Sequence, residues 1–166
     1  MNVLSKNNLF YTTNTILEWQ NVLLHPDVLK IIYNTWHFLS ENGKVKIYAF
    51  VIMPNHIHWI YEVLPPYTNA QVKHSFSGFT SKEIFKATPE IKDYFFVDKS
   101  NRKYQLWKSP SLSVPLYSQN FLMQKLHYIH LNPKRAGILD ANGKYLHTSL
   151  NSYQNGKPEW PFLTLL

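Results

Sequence analysis

The sequence predicts an α+β fold: a small antiparallel sheet with helices on it, of ferredoxin-like or RNA-recognition-motif-like type. Three observations lead there. Strand-like and helix-like segments follow one another in the order β-α-β-β-α-β-α. Turn residues alone separate the two central strands, so they form an antiparallel hairpin. The 166 residues are 45% apolar and 16% aromatic, which supports a packed core and excludes a disordered tail or a coiled coil.

The elements follow in chain order. Leu9 to Trp19 (LFYTTNTILEW) is rich in β-branched and aromatic residues and reads as the first strand. His25-Pro26-Asp27 opens a helix, with Pro26 in its first turn. Leu29, Ile32, Tyr33, Trp36 and Leu39 recur at helical spacing and define its core face. Gly43 ends it in a left-handed cap. Lys44 to Met53 is a strand, Pro54-Asn55 a turn and His56 to Val63 the returning strand.

Asn69 to Lys86 reads as the second helix, with Val72, Phe76 and Phe79 as its buried stripe. Trp107 and Leu112 to Tyr117 supply one further strand. Ser118 caps a third helix. That helix runs to about Asn132, because Pro133 lacks an N–H and disfavours helical geometry in the residue before it. Ala136-Gly137 and Asn142-Gly143 mark turns in the remainder.

Composition narrows the function. Cysteine is absent, so disulfides, thiolate metal sites and thiol nucleophiles are excluded. Neither GxGxxG nor GxxxxGK[ST] occurs. The longest apolar run, Ile47 to Met53, is far shorter than the ~20 residues of a membrane span. The N-terminal MNVLSKNNLF has no apolar signal core, so a cytoplasmic protein without a membrane partner is expected, nucleoid-associated if its partner is DNA. The net charge is +7, and Lys73 to Lys108 holds eight basic residues against four acidic ones. A polyanion, nucleic acid first, is the expected partner. The basic candidates are Lys73, Lys82, Lys86, Arg102, Lys103, Lys108, Lys125, Lys134 and Arg135.

Two local patterns carry chemistry. His56 and His58 are two apart on a strand, so both imidazoles project from one face as half of a metal site. On the third helix, Leu122, Leu126 and Ile129 share the core stripe. Phe121, Lys125, Tyr128 and Asn132 share the adjacent one, bringing an ammonium, a phenol and an amide together. His127 and His130 point away from that stripe. Glu62 shares the face of His56 and His58 and is read as a peripheral acid, with a supporting contact to that site as the alternative.

MPNHIHW, Met53 to Trp59, resembles the HUH motif (His, hydrophobic, His) of single-strand DNA endonucleases. LHYIHLNPKRAGIL, Leu126 to Leu139, resembles the tyrosine helix of the REP-associated tyrosine transposases, a single-tyrosine branch of the HUH transposases. The resemblance covers roughly residues 9 to 155, in the family's order. Lys108 and Lys134 stand where the family often has Gln and Val.

The resemblance implies one HUH endonuclease domain over residues 1–166, with a core at 9–155 and a C-terminal tail at 156–166. It implies a DNA transposition and recombination enzyme that nicks and joins single-stranded, hairpin-flanking DNA. Tyr128 would be the nucleophile, forming a 5′-phosphotyrosine. His56, His58 and Asn132 would hold a divalent metal, Mg²⁺ or Mn²⁺. Some members assemble active sites between two chains, so a homodimer is compatible with it. The competing reading is a non-catalytic module that holds single-stranded nucleic acid by stacking and Lys contacts.

Overall fold

The computed structural model describes residues 8–166. The reading of the N-terminal segment as lacking a signal core rests largely on residues 1–7, outside the described residues. Strands β1 (Leu9–Thr15), β2 (Val45–Ile52), β3 (His56–Val63) and β6 (Leu112–Pro115) form a four-stranded sheet in the order β2-β3-β1-β6. All its pairings are antiparallel. A small separate ladder joins β4 (Phe96–Lys99) and β5 (Arg102–Tyr104). Helices α1 (Pro26–Glu41) and α2 (Asn69–Ala87) cover one face, α3 (Gln119–Arg135) the other, and a short α4 (Leu150–Asn155) follows. The expected α+β architecture is therefore present.

Alternation sorts the sheet into two cores. Phe50, Ile52, Ile57, Trp59 and Tyr61 pack against Ile32 and Trp36 of α1 and Val72 and Phe76 of α2. Leu9, Tyr11, Ala49, Val51 and Ile60 pack against Leu122, Leu126 and Ile129 of α3. A register shift between Ile47 and Ala49 lets Tyr48 join Ala49 on the α3 side. Caps fix the helix starts. Ser118 Oγ accepts from Phe121 N, and Thr68 and Gln71 form a reciprocal capping box.

Four local readings need correction. The first strand stops at Thr15, and Leu17–Trp19 is a 3₁₀ turn. Phe79 is exposed, and the buried stripe of α2 is Val72, Phe76, Thr80 and Ile84. Helix α3 passes through Pro133 to Arg135. The proline only withholds an N–H from the preceding turn, its ring is buried, and Ala136 N bonds Asn132 O to continue the ladder. Residues 156–166 are not a loose tail. Phe162 and Leu163 are buried in the α1/α2-side core, and Trp160 stacks on Tyr33 at 4.4 Å.

Candidate functional site

The hairpin turn Pro54-Asn55 places His56 at the first position of β3, with Met53 N bonded to His56 O. His56 and His58 then face α3 together, their ring centroids 4.8 Å apart. Tyr128 lies beside them, its ring 5.3 Å from that of His58. Asn132, one turn further along α3, lies near enough to the His56 side chain to favour its protonated form. The structure thus brings His56, His58, Tyr128 and Asn132 to one place.

Each imidazole is held through Nδ1. His56 Nδ1 donates to Asn55 Oδ1 at 2.8 Å, because an amide oxygen can only accept. His58 Nδ1 lies 2.8 Å from both the Tyr11 and Thr13 hydroxyls. Thr13 stands directly opposite His58 in the β1–β3 register. His58 Nε2 is buried and without a protein partner. A ligating histidine bonded through one nitrogen and open at the other has this form.

Electrostatics keep both rings neutral. Burial pushes His58 down to about 3, aided by His56 and Lys125. Burial also lowers His56, against the opposing influence of Asn132. Neutral imidazoles keep a lone pair for a metal at neutral pH. Two such nitrogens, one of them orphaned, with an amide alongside, fit a divalent cation. Among the described residues no cluster of three or more His, Cys, Asp or Glu forms.

Two tyrosines adjoin the histidines. Tyr11 is 3% exposed, and burial pushes its phenol up to about 12. Tyr128 is 36% exposed. Lys125 Nζ sits 4.7 Å from the Tyr11 ring centroid and 5.8 Å from that of Tyr128, and Arg135 lies 5.8 Å over Tyr128. Both cations came from the basic residues singled out in the sequence.

The other basic candidates lie elsewhere. Lys73, Arg102 and Lys108 line a cleft of about 500 Å³ between α2 and residues 102–111. Lys82 and Lys86 line an adjoining cleft with Lys92, which the sequence reading did not single out. The two share Gly78, Ser81 and Tyr104, so they form one basic trough. Lys108 N bonds Thr15 O, and Thr15 pairs with His56, which links the trough to the histidine strand. Lys103 and Lys134 are exposed and outside both clefts. His130 bonds Ser149 Oγ at 2.9 Å, away from Tyr128 as its helical angle requires. Glu62 is buried rather than peripheral, and Tyr48 donates to it at 2.8 Å.

Sequence reasoning missed Tyr11, Thr13, Asn55 and Trp19. Trp19 is 56% exposed and meets His56 edge to face at 5.8 Å. It follows Glu18, and both have left-handed backbones, with φ of 57° and 54°. For non-glycine residues this costs of order 1–3 kcal/mol each. Asn55 holds the segment from below, donating to Trp19 O and Asn21 Oδ1. The Asn in the Met-Pro-Asn-His turn was the available signal for this tether.

Comparison with known proteins agrees with the geometry. The family model described as "Transposase IS200 like" matches residues 8–109, a span that includes both histidines and stops before Tyr128. A structure of a REP-associated tyrosine transposase bound to a REP hairpin superposes with a TM-score of 0.67. The two are 12% identical over 96% of this chain and 87% of the other. A putative transposase from Deinococcus radiodurans R1 gives a TM-score of 0.53 at 16% identity, over 73% of this chain and 87% of that one. These likenesses show the fold. No curated protein matches the chain. With a family match across more than half its length, and the two histidines inside that match, the chain belongs to the IS200-like transposase family.

Proposed function

We propose that this transposase nicks and rejoins single-stranded DNA, with the Tyr128 phenol as nucleophile. One observation carries the reading: the exposed Tyr128 ring lies 5.3 Å from buried His58, whose Nε2 has no protein partner. His56 and His58, with Asn132, would hold Mg²⁺ or Mn²⁺. Bound there, such an ion supplies Lewis-acid charge to a non-bridging oxygen of the scissile phosphate.

The chain's own groups do the rest. Tyr128 Oη forms a bond to phosphorus as the P–O3′ bond breaks, giving a 5′-phosphotyrosine and a free 3′-OH. The phenolic proton goes to solvent and the leaving 3′ oxygen takes one back, so the charge balances. Lys125 and Arg135 flank the Tyr128 ring and place positive charge beside the phosphate it attacks. The diester conserves the energy of the broken bond, so an incoming 3′-OH reverses the step without a nucleotide cofactor. The relative bound to a REP hairpin supports single strands flanking a hairpin as substrate. The trough of Lys73, Lys82, Lys86, Arg102 and Lys108 supplies sequence-independent phosphate contacts.

The test is covalent capture. The protein is incubated with Mn²⁺ and single-stranded hairpin DNA from around its own gene, denatured in SDS and analysed by peptide mass spectrometry. An adduct on the peptide containing Tyr128 is the expected result. Strand cleavage without a protein adduct, or an adduct on another tyrosine, overturns it.

A further inference from the structure

We infer that Trp19 is a stacking platform for the nucleobase on the leaving side of the scissile phosphate, an inference that rests on the nuclease reading above. Its indole is the most exposed of the five tryptophans. Trp36, Trp59 and Trp107 are buried, and Trp160 is half-buried in the core-side stack on Tyr33. A lone exposed apolar residue needs no explanation in general. This one is different in three ways that the structure shows separately.

It touches the site. The indole and the His56 imidazole meet edge to face at 5.8 Å with planes 74° apart, which leaves more than half of Trp19 open to solvent. It is placed by strain. Glu18 and Trp19 are the only non-glycine residues with positive φ among the described residues. Strained backbone persists only where its surroundings enforce it, and such places cluster at ligand sites. It is tethered to the histidine turn. Ile16 N bonds Asn55 O, Leu23 N bonds Pro54 O, and the Asn55 amide donates to Trp19 O while its oxygen accepts from His56. These bonds tie the Trp19 backbone to the turn that carries His56.

The side of the phosphate follows from the order of contacts. The rings run Tyr128, His58, His56, Trp19. In-line displacement puts the attacking and leaving oxygens on opposite sides of phosphorus. With Tyr128 attacking from one end of this row, the nucleotide bearing the leaving 3′-OH lies toward the other end, at Trp19. An unpaired base has an open π-face and stacks on such an indole whatever its identity. A duplex keeps its bases stacked inside, so the platform selects single strands at the point of cleavage.

The experiment has two arms. In the first, intrinsic fluorescence is followed while wild-type protein is titrated with a twenty-nucleotide oligothymidylate, or with an abasic phosphodiester of equal length. Saturable quenching by the oligothymidylate, none by the abasic strand, and none in Trp19→Phe are expected. Trp19→Ala should bind the oligothymidylate about tenfold more weakly, with Trp19→Phe between. Equal quenching in wild type and Trp19→Phe, or by the abasic strand, overturns the inference. In the second arm, one abasic residue is placed either 5′ or 3′ of the nicked phosphate in a DNA that yields the adduct. The 5′ abasic residue should slow wild-type adduct formation as much as Trp19→Ala does, with no further loss when combined. Additive losses, or an effect only from the 3′ side, sink the assignment. If no DNA yields an adduct, the nuclease reading falls and the quenching arm still decides Trp19.

Discussion

The rings of Tyr11 and Tyr128 meet edge to face at 6.4 Å, yet only Tyr128 opens to solvent. Tyr11 spends its hydroxyl on His58 Nδ1 and is held as a neutral phenol by burial. The pair separates two tasks within one aromatic cluster. Tyr128→Phe should abolish the covalent adduct and leave folding and DNA binding intact. Tyr11→Phe should keep the adduct on Tyr128 and cost about 1 kcal/mol of stability, the worth of one hydrogen bond. Loss of the adduct in Tyr11→Phe with normal nicking by Tyr128→Phe would reverse the roles.

Asn55 should matter for metal affinity although it is no ligand itself. Its oxygen fixes the His56 ring through Nδ1. Removing such a support typically costs about 10–100-fold in metal affinity or activity. Asn55→Ala should weaken Mn²⁺ binding on that scale, read by calorimetry or electron paramagnetic resonance. His58→Ala should abolish specific Mn²⁺ binding at this site while leaving most DNA affinity. Full adduct formation in EDTA would remove the metal from the proposal.

The basic trough should govern salt dependence. Each phosphate contact on a single strand contributes about −0.7 to the slope of log K against log salt. Replacing Lys73, Arg102 and Lys108 together by Ala should flatten that slope by up to about 2 and leave the adduct rate at saturating DNA near wild type. An unchanged slope would place the DNA elsewhere.

Acid should destabilise the metal-free fold in a defined window. An unfolded imidazole titrates near pH 6.5. His58 is held down to about 3 and His130 to about 4, both chiefly by burial, and His56 and His147 are lowered as well. The unfolded chain therefore binds more protons as pH falls below 6.5, and stability drops until the folded values are passed. Above 6.5 both states are neutral and these groups contribute no slope. Thermal melts should show a steady Tm near neutrality and a fall below pH 6.5, shallower in His130→Gln. A Tm flat to pH 4.5 would contradict this account.

The parts of the site legible in the sequence are those set by local periodicity. His56 and His58 share a face because strands alternate, and Tyr128 and Asn132 share one because helices repeat every 3.6 residues. The helices behaved likewise, except where a single side chain or proline was overruled by packing, as at Phe79 and Pro133. What the sequence withheld depends on register or on strain. Nothing local says that Thr13 stands opposite His58, or that Glu18 and Trp19 turn left-handed. Trp160, Phe162 and Leu163 looked like an ending because three apolar residues have no period, but they complete a core built by distant segments.

The segment from residue 147 onward also acts as a guard rail for the sheet. β2 is an outer strand, and a bare outer strand invites pairing with a second chain. Here Thr164 N takes Ile47 O, Ser149 N takes Phe50 O, and Ile52 N reaches His147 O. The Tyr153 hydroxyl takes Tyr48 O. The rim that would otherwise zip onto a neighbour is already occupied from within. A second copy cannot extend the sheet through β2 without first prying away residues 147–149 and 163–164. Extension of the sheet through β2 is therefore closed in the folded chain, and cutting it at residue 146 would bare that rim and create a sticky molecule rather than a smaller one.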